Sequence, residues 1–333
     1  MRSTEVVIIG AGAAGLMCAL TTAGRGRKVL LLDHANKAGK KILMSGGGRC
    51  NFTNMYTEPG NFLSQNAHFC KSALARYTQW DFIGMVAKHG VPYHEKKLGQ
   101  LFCDNKSSDI LEMLLNECDQ VGVNLHLDTS IQTIERLEKG YLLDTTLDQI
   151  TCESLVIATG GLSIPTLGAT GFGYQVARQF GHELLPTRAG LVPFTITDQL
   201  KALCTELSGT SVDCLVSCND QSFRENILFT HRGLSGPSIL QISSYWREGR
   251  EIEVSMLPAT DVFAMLRAAR AENGRRALHT VLGAVLPKRL AQAIAAAEGA
   301  GGNLADLSDK VLRRVADAVN GWRVLPAGSE GYR

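Results

Sequence analysis

Three glycines and one acid near the N-terminus have the types and spacing that hold a dinucleotide. Gly10, Gly12 and Gly15 lie in Val6-Val-Ile-Ile-Gly10-Ala-Gly12-Ala13-Ala14-Gly15-Leu16, and Asp33 closes Lys28-Val-Leu-Leu-Leu-Asp33. In a Gly-x-Gly-x-x-Gly turn the first glycine permits the tight bend, the second lets a pyrophosphate approach the backbone, and the third lets the helix pack close to the sheet. The phosphates then face a helix N-terminus, where unpaired amides carry roughly half a positive charge. Asp33 follows the last glycine by 33 − 15 = 18 residues. A carboxylate there accepts hydrogen bonds from both ribose hydroxyls and repels a 2′-phosphate. NAD and FAD both satisfy this chemistry, and a purely structural turn is the competing reading.

Two further glycine-rich stretches could approach a cofactor. Lys40-Lys41-Ile-Leu-Met-Ser45-Gly46-Gly47-Gly48-Arg49-Cys50-Asn51 places a flexible glycine run between cations, so backbone amides could wrap a polyanion while Lys41 and Arg49 offset its charge. Its bland alternative is a solvated loop. Leu155-Val-Ile-Ala158-Thr159-Gly160-Gly161 reads as an apolar strand ending in a turn of small residues.

The elements that must position these groups are legible as patterns. Val6 to Ile9 is a β-branched strand, the glycines open a helix, and Lys28 to Asp33 is a second strand, which completes a βαβ unit. The uncharged stretch from Val6 to Gly24 is broken by glycines at its middle, which argues against a signal peptide or a membrane span. Val123 to Leu127, Thr129 to Arg136, Gly140 to Thr146 and Ile150 to Ala158 read as consecutive short strands, a β-meander rather than continued βα alternation. Fingerprint, meander and Ala-Thr-Gly in this order resemble the glutathione-reductase-like FAD domains.

Ser45 to Asn54, Ala158 to Gly161, Thr187 to Phe194, Leu228 to Pro237 and Trp322 to Arg333 match characteristic stretches of one family. On them the chain resembles the BaiN/RdsA family of FAD-dependent oxidoreductases, also described as aminoacetone-oxidase-like, with its bacterial YhiN-type flavoproteins. The resemblance implies that Gly10 to Gly15, including Ala13 and Ala14, and Asp33 hold the ADP half of FAD. It implies further that Lys41 and Ser45 to Asn51 lie along the flavin half, that Ile131 contacts the adenine side, and that Ala158, Thr159, Gly160 and Gly161 close over the cofactor. Family members continue past Gly331-Tyr-Arg333 with another strand and a glycine turn, so the resemblance implies a chain truncated at its C-terminus that holds FAD weakly.

The expected architecture is α/β: an FAD-binding Rossmann domain with β-meander over residues 1–186, to which residues 322–333 return, and an inserted mixed β and helical domain over residues 187–321. In the insertion, Leu191 to Ile196, Ser211 to Cys218 and Glu225 to Thr230 read as strands, and four segments between Val262 and Val319 have helical spacing. His231, with Arg232 and Ser235, joins a strand to a helix and could line a substrate cleft, where an imidazole suits proton transfer. The competing reading is an ordinary loop histidine, and no catalytic residue is assigned. Tyr77 to Trp80 and the Phe172-Gly-Tyr174 turn could supply aromatic surface, although such residues are more often core.

Composition bounds the rest. The chain has 333 residues, 45% of them hydrophobic, and a net charge of +2. That supports real cores and provides no basic footprint, so a small-molecule substrate is expected and a nucleic-acid or membrane partner is not. The nine cysteines, an odd and scattered set without Cys-x-x-Cys pairs, indicate a reducing cytoplasmic compartment and no zinc site. The expected function is FAD-dependent oxidation or reduction of a small or steroid-like carbonyl or amino ketone. NAD(P)H would dock transiently, because no second complete fingerprint occurs. Alternatives are an inactive flavin-binding protein and, by fold analogy, an RNA-associated flavoprotein.

Overall fold

The computed structural model describes residues 2–332, which form two compact units divided between Leu185 and Pro186. The first unit opens with β1 (Arg2–Ile9), α1 (Ala13–Ala23), β2 (Val29–Leu32) and α2 (Lys40–Met44). It continues through β3 (Asn51–Asn54), α3 (Lys71–Arg76), α4 (Gln79–Lys88), β4 (Tyr93–Glu95), β5 (Gln100–Cys103) and α5 (Ser108–Gln120). It ends with β6 (Asn124–His126), β7 (Ile131–Arg136), β8 (Tyr141–Thr145), β9 (Gln149–Ile157) and α6 (Phe172–Gln179).

Its main sheet has the order β6-β2-β1-β9-β8-β7. β1 lies at the centre, parallel to β2 from Val6↔Val29 to Ile9↔Leu32 and to β9 from Arg2↔Ile150 to Ile9↔Ile157. A strand flanked on both sides has both faces covered, and the apolar run Val6 to Ile9 meets that demand. Alternate side chains reach opposite layers: Val6 and Ile8 join Leu16, Ala19 and the α5 residues Ile110 and Leu114, whereas Val7 and Ile9 join Ile134, Leu143 and Val176.

The meander is narrower than expected. β7, β8 and β9 are antiparallel neighbours, but the Val123 to Leu127 stretch yields β6, which pairs parallel with β2 at the opposite edge. Alternation alone cannot distinguish those partners. A second, three-stranded sheet of order β3-β5-β4 carries Asn51 and Phe52 beside α4.

The second unit comprises β10 (Phe194–Thr195), α7 (Asp198–Glu206), β11 (Ser211–Cys218), β12 (Gln221–Thr230), β13 (Gly233–Ser235), α8 (Pro237–Ser243) and β14 (Ile252–Ser255). Then come α9 (Val262–Asn273), α10 (Leu278–Leu282), α11 (Lys288–Ala297), α12 (Asp309–Asn320), β15 (Trp322–Val324) and β16 (Gly328–Ser329). Its antiparallel sheet has the order β15-β14-β11-β12-β13-β10-β16. β10 is only two residues long where Leu191 to Ile196 was expected, because Leu191 adopts φ 56 and Pro193 has no amide to donate.

Trp322 is not a point of return to the first unit. β15 pairs with β14 from Ile252↔Val324 to Val254↔Trp322, and the Trp322 ring stacks on Phe229 with centroids 5.9 Å apart. Asn320 directs this turn, since its side chain bonds the amide and carbonyl of Leu257 and the carbonyl of Thr260, each at 2.9 Å. The last strand, β16, pairs with β10 in the same sheet.

Candidate functional site

The glycine turn is fixed by contacts that leave no room for side chains at two of its positions. Gly10 has φ +108, and a Cβ there would lie 2.5 Å from the Ala158 carbonyl oxygen; at Gly15 it would lie 1.7 Å from the Gly10 carbonyl oxygen. Gly12 differs, because a Cβ added there meets nothing within 4 Å. It caps α1 in extended conformation and faces open space, a cradle for an approaching ligand.

Asp33 ties this turn to the end of β2. The Ala11 amide donates to Asp33 Oδ2 at 2.6 Å, and the Ala35 amide donates to Oδ1 at 2.8 Å. Each oxygen keeps a lone pair for further donors, as ribose hydroxyls would require.

The turn opens onto a cavity of about 420 Å³. Gly10, Gly12, Ala13, Ala14, Asp33, Lys41, Ser45, Cys50, Asn51, Ala158, Thr159 and Gly160 line it. A second cavity of about 230 Å³, with Ile131, Thr129 and Phe172 in its wall, shares Gly10, Asp33, His34, Thr159 and Gly168 with the first. The shared walls make the two cavities chambers of one elongated groove across the ends of β1 and β2, where parallel sheets bind nucleotides. Lys37, Lys40 and Lys41 supply cations along the larger chamber, and Lys41 Nζ donates to the Gly161 carbonyl at 3.3 Å. Phe52 and Phe82, with ring centroids 6.0 Å apart, form part of its apolar wall.

The glycine run behaves differently from the expected wrap. Gly46 and Gly47, with φ 58 and 67, coil Ser45 to Gly48 into a tight turn, and the Cys50 amide returns to the Ser45 carbonyl at 3.0 Å. The Gly48 carbonyl accepts from the Ser107 amide at 2.8 Å, and the Arg49 carbonyl accepts from the Cys103 amide at 2.9 Å. Gly46, Gly47, Gly48 and the exposed Arg49 are outside the groove's lining, and so are Gly15, packed beneath the turn, and Gly161. The turn instead aims Ser45, Cys50 and Asn51 inward. Burial pushes the Cys50 thiol up, partly offset by its hydrogen bond with Ser45. Burial also drives Cys103, opposite it, up to about 12, with Cys50 adding to the rise. Both are therefore neutral thiols near pH 7, suited to packing and hydrogen bonding rather than nucleophilic chemistry.

His231 belongs to the second unit. It is exposed in the tight turn between β12 and β13, where a helix start was expected nearby, and its carbonyl accepts from Thr205 Oγ1 at 3.4 Å. The second unit has its own cavity of about 500 Å³, walled by Asp213, Arg224, Met256 and Pro287. Its charged members, Asp213 and Arg224, are exposed and paired with each other at 3.4 Å, so it has no buried polar group to orient a reacting molecule.

Sequence reasoning missed His34, Phe52, Phe82 and Gly168 in the groove wall. Gly168 had a usable signal in its loop, since it adopts φ +95 and a Cβ there would strike His34 Nε2 at 2.9 Å. The two phenylalanines had none, because nothing local distinguishes a groove-wall ring from a core ring.

Among the described residues there is no group of three or more His, Cys, Asp or Glu that could hold a metal ion, and no helix is long and apolar enough to cross a membrane.

A family model described as HI0933-like protein Rossmann domain matches residues 4–311. A protein of Escherichia coli (strain K12) named ribosomal RNA dihydrouridine synthase is 49% identical over 339 residues, covering 100% of this chain and 84% of the relative. A protein of the same name from Haemophilus influenzae is 46% identical over 341 residues, covering 99% and 84%. The 3-dehydro-bile acid delta(4,6)-reductase of Clostridium scindens is 25% identical over 278 residues, covering 79% and 67%.

Proposed function

The chain belongs to the HI0933-like Rossmann family, and from that premise we propose that it is an FAD-dependent oxidoreductase. Its reaction is the saturation of a carbon–carbon double bond conjugated to a carbonyl, with uridine of ribosomal RNA as substrate. The observation that carries the reading is the two-chambered groove on the Gly10 to Gly15 turn, with Asp33 in the wall of both chambers. Its two connected chambers suit the two halves of a dinucleotide, and the open space at Gly12 fits a pyrophosphate.

In this reading the amides at the start of α1 and Lys41 offset the pyrophosphate charge. Asp33 takes the adenosine ribose, Ile131 and Phe172 flank the adenine, and Ser45, Cys50 and Asn51 face the flavin. Bound FAD supplies reversible hydride chemistry. Phe52 and Phe82 keep water from the reacting face, which strengthens every charge interaction there. The protonated Cys50 thiol adds no negative charge beside a ring that gains electrons on reduction.

The names of the relatives support the substrate class by their shared chemistry. Turning uridine into dihydrouridine adds one hydride and one proton across the double bond conjugated to the uracil carbonyl. Reducing a steroid double bond conjugated to a 3-keto group is the same transformation on another skeleton. The near-zero net charge, from which a small-molecule substrate is expected, is a sum over the whole chain, and a local basic surface is compatible with it. NADH or NADPH is the hydride donor in this proposal, docking transiently and leaving as the oxidised nucleotide.

The test is turnover. The protein, supplied with FAD, NADPH and an unmodified ribosomal RNA fragment, is expected to produce dihydrouridine detectable by nucleoside mass spectrometry. Oxidation of NADPH with a conjugated steroid ketone and not with RNA would move the substrate to the small-molecule class.

A further inference from the structure

We propose that the face formed by Tyr56, Tyr77 and Trp80, with Lys71, Arg76 and Lys96 around it, binds the single-stranded RNA that flanks the target nucleotide. This rests on the uridine reading above and gives the groove its macromolecular partner.

The face lies close along the chain to two residues of the groove wall. Phe52 lines the groove on β3, and Tyr56 follows four residues later, at most ~13 Å along the chain. Phe82 lines it on α4, and Trp80, two residues earlier on the same helix, points away from the groove into solvent. The two approaches are tied together, since Gln79 Nε2 donates to the Met55 carbonyl at 2.9 Å. The Tyr56 ring rests on Gly99, where an added Cβ would lie 2.6 Å from its Cδ2, so Gly99 is the residue that lets the ring lie flat.

These rings are exposed to an unusual degree: Tyr56 66%, Trp80 58% and Tyr77 41%. Rings of this kind stack on bases of any sequence, because every base has a π face.

The charges around them are complementary to phosphate. Four acids occur in residues 49–106, and each is engaged locally. Glu58 and Asp81 cap helical turns, Glu95 accepts from the Gly99 amide at 3.0 Å, and Asp104 pairs with His94 at 2.6 Å. Among the described residues no acid pairs with Lys71, Arg76 or Lys96, and Lys96 instead lies over the Phe102 ring at 5.0 Å. Lys71, Arg76 and Lys96 therefore leave cationic groups free for phosphate, while Asp81, held ionised by Thr78 beside Tyr77, places an acid charge at the rings. Stacking rings within a cationic surface are the pattern that binds single strands.

The test is titration of the FAD-loaded 333-residue chain with a ~12-nucleotide oligouridine, followed by anisotropy and by tryptophan emission. Trp246 is buried and Trp322 half-buried, so quenching reports Trp80. Trp80→Ala is expected to weaken binding about ten-fold, and Trp80→Phe to restore most of it. Lys71→Gln with Arg76→Gln is expected to flatten the dependence of log affinity on log salt by ~1.4. Oligouridine affinity unchanged in both sets of variants overturns the proposal while leaving the uridine reading intact. Unchanged affinity with loss of self-association in Trp80→Ala overturns it in favour of a protein partner. Oligouridine bound through these residues but never reduced overturns the uridine reading and leaves the surface standing.

Discussion

Asp33 carries more than one duty, which sets what its replacement will do. Both oxygens accept backbone amides, so the carboxylate braces the glycine turn as well as offering acceptors to a ribose. Asp33→Asn keeps one acceptor and turns an NH2 group toward an amide that needs one, so FAD affinity is expected to fall about ten-fold or more in a fluorescence titration. The acid's place at the end of a strand beside the glycine turn was legible from strand and spacing, but its bracing role was not, because it depends on where Ala11 and Ala35 are carried by the fold. The cysteines give a pH prediction. Burial raises Cys103 to about 12 and Cys118, Cys152, Cys204 and Cys214 to about 11. Their unfolded values are ~8.5. A raised folded value means that stability is fully present below the unfolded pKa and is lost as pH rises toward the folded one. Urea midpoints should therefore be level with respect to these thiols up to about pH 8.5 and decline above it; a midpoint rising in that range would contradict their burial as neutral groups.

At the scale of elements, the glycine turn separates structure from binding within three residues. Gly15→Ala drives a methyl into the Gly10 carbonyl, so it is expected to lower the melting temperature and abolish FAD binding together. Gly12→Ala meets open space, so it should leave melting of the apoprotein almost unchanged and weaken FAD alone. The βαβ unit was readable because its signals are local: a β-branched run, glycines at fixed offsets and an acid at a strand end. The Ser45 to Gly48 turn was not, because the partners that coil it, Cys103 and Ser107, are more than fifty residues away. β6 was misassigned to the meander for the same reason, since its hydrogen-bonding partner β2 precedes it by a long stretch of chain.

Across the whole molecule, the sequence placed a boundary near residue 186 and the contacts divide the chain between Leu185 and Pro186, but the second unit retains its own C-terminal strands. A short Trp-Arg-Val segment does not announce which sheet it will join. Trp322→Ala removes the ring stacked on Phe229, and an apparent loss of stability on the order of 2–3 kcal/mol is expected from a half-buried ring. Denaturation of that variant tests the assignment of β15 to the second unit. The proposed function rests on the groove of the first unit accepting FAD, from which a hydride, with a proton, would be added across a carbon–carbon double bond conjugated to a carbonyl. An anaerobic absorbance experiment addresses that claim most directly: the 333-residue chain is loaded with FAD, reduced with NADPH and then given unmodified ribosomal RNA. The account predicts a protein-bound flavin band that bleaches with NADPH and returns on addition of RNA, with dihydrouridine in the product. A chain that retains no flavin, or a bleached band that returns only when oxygen is admitted, would contradict it.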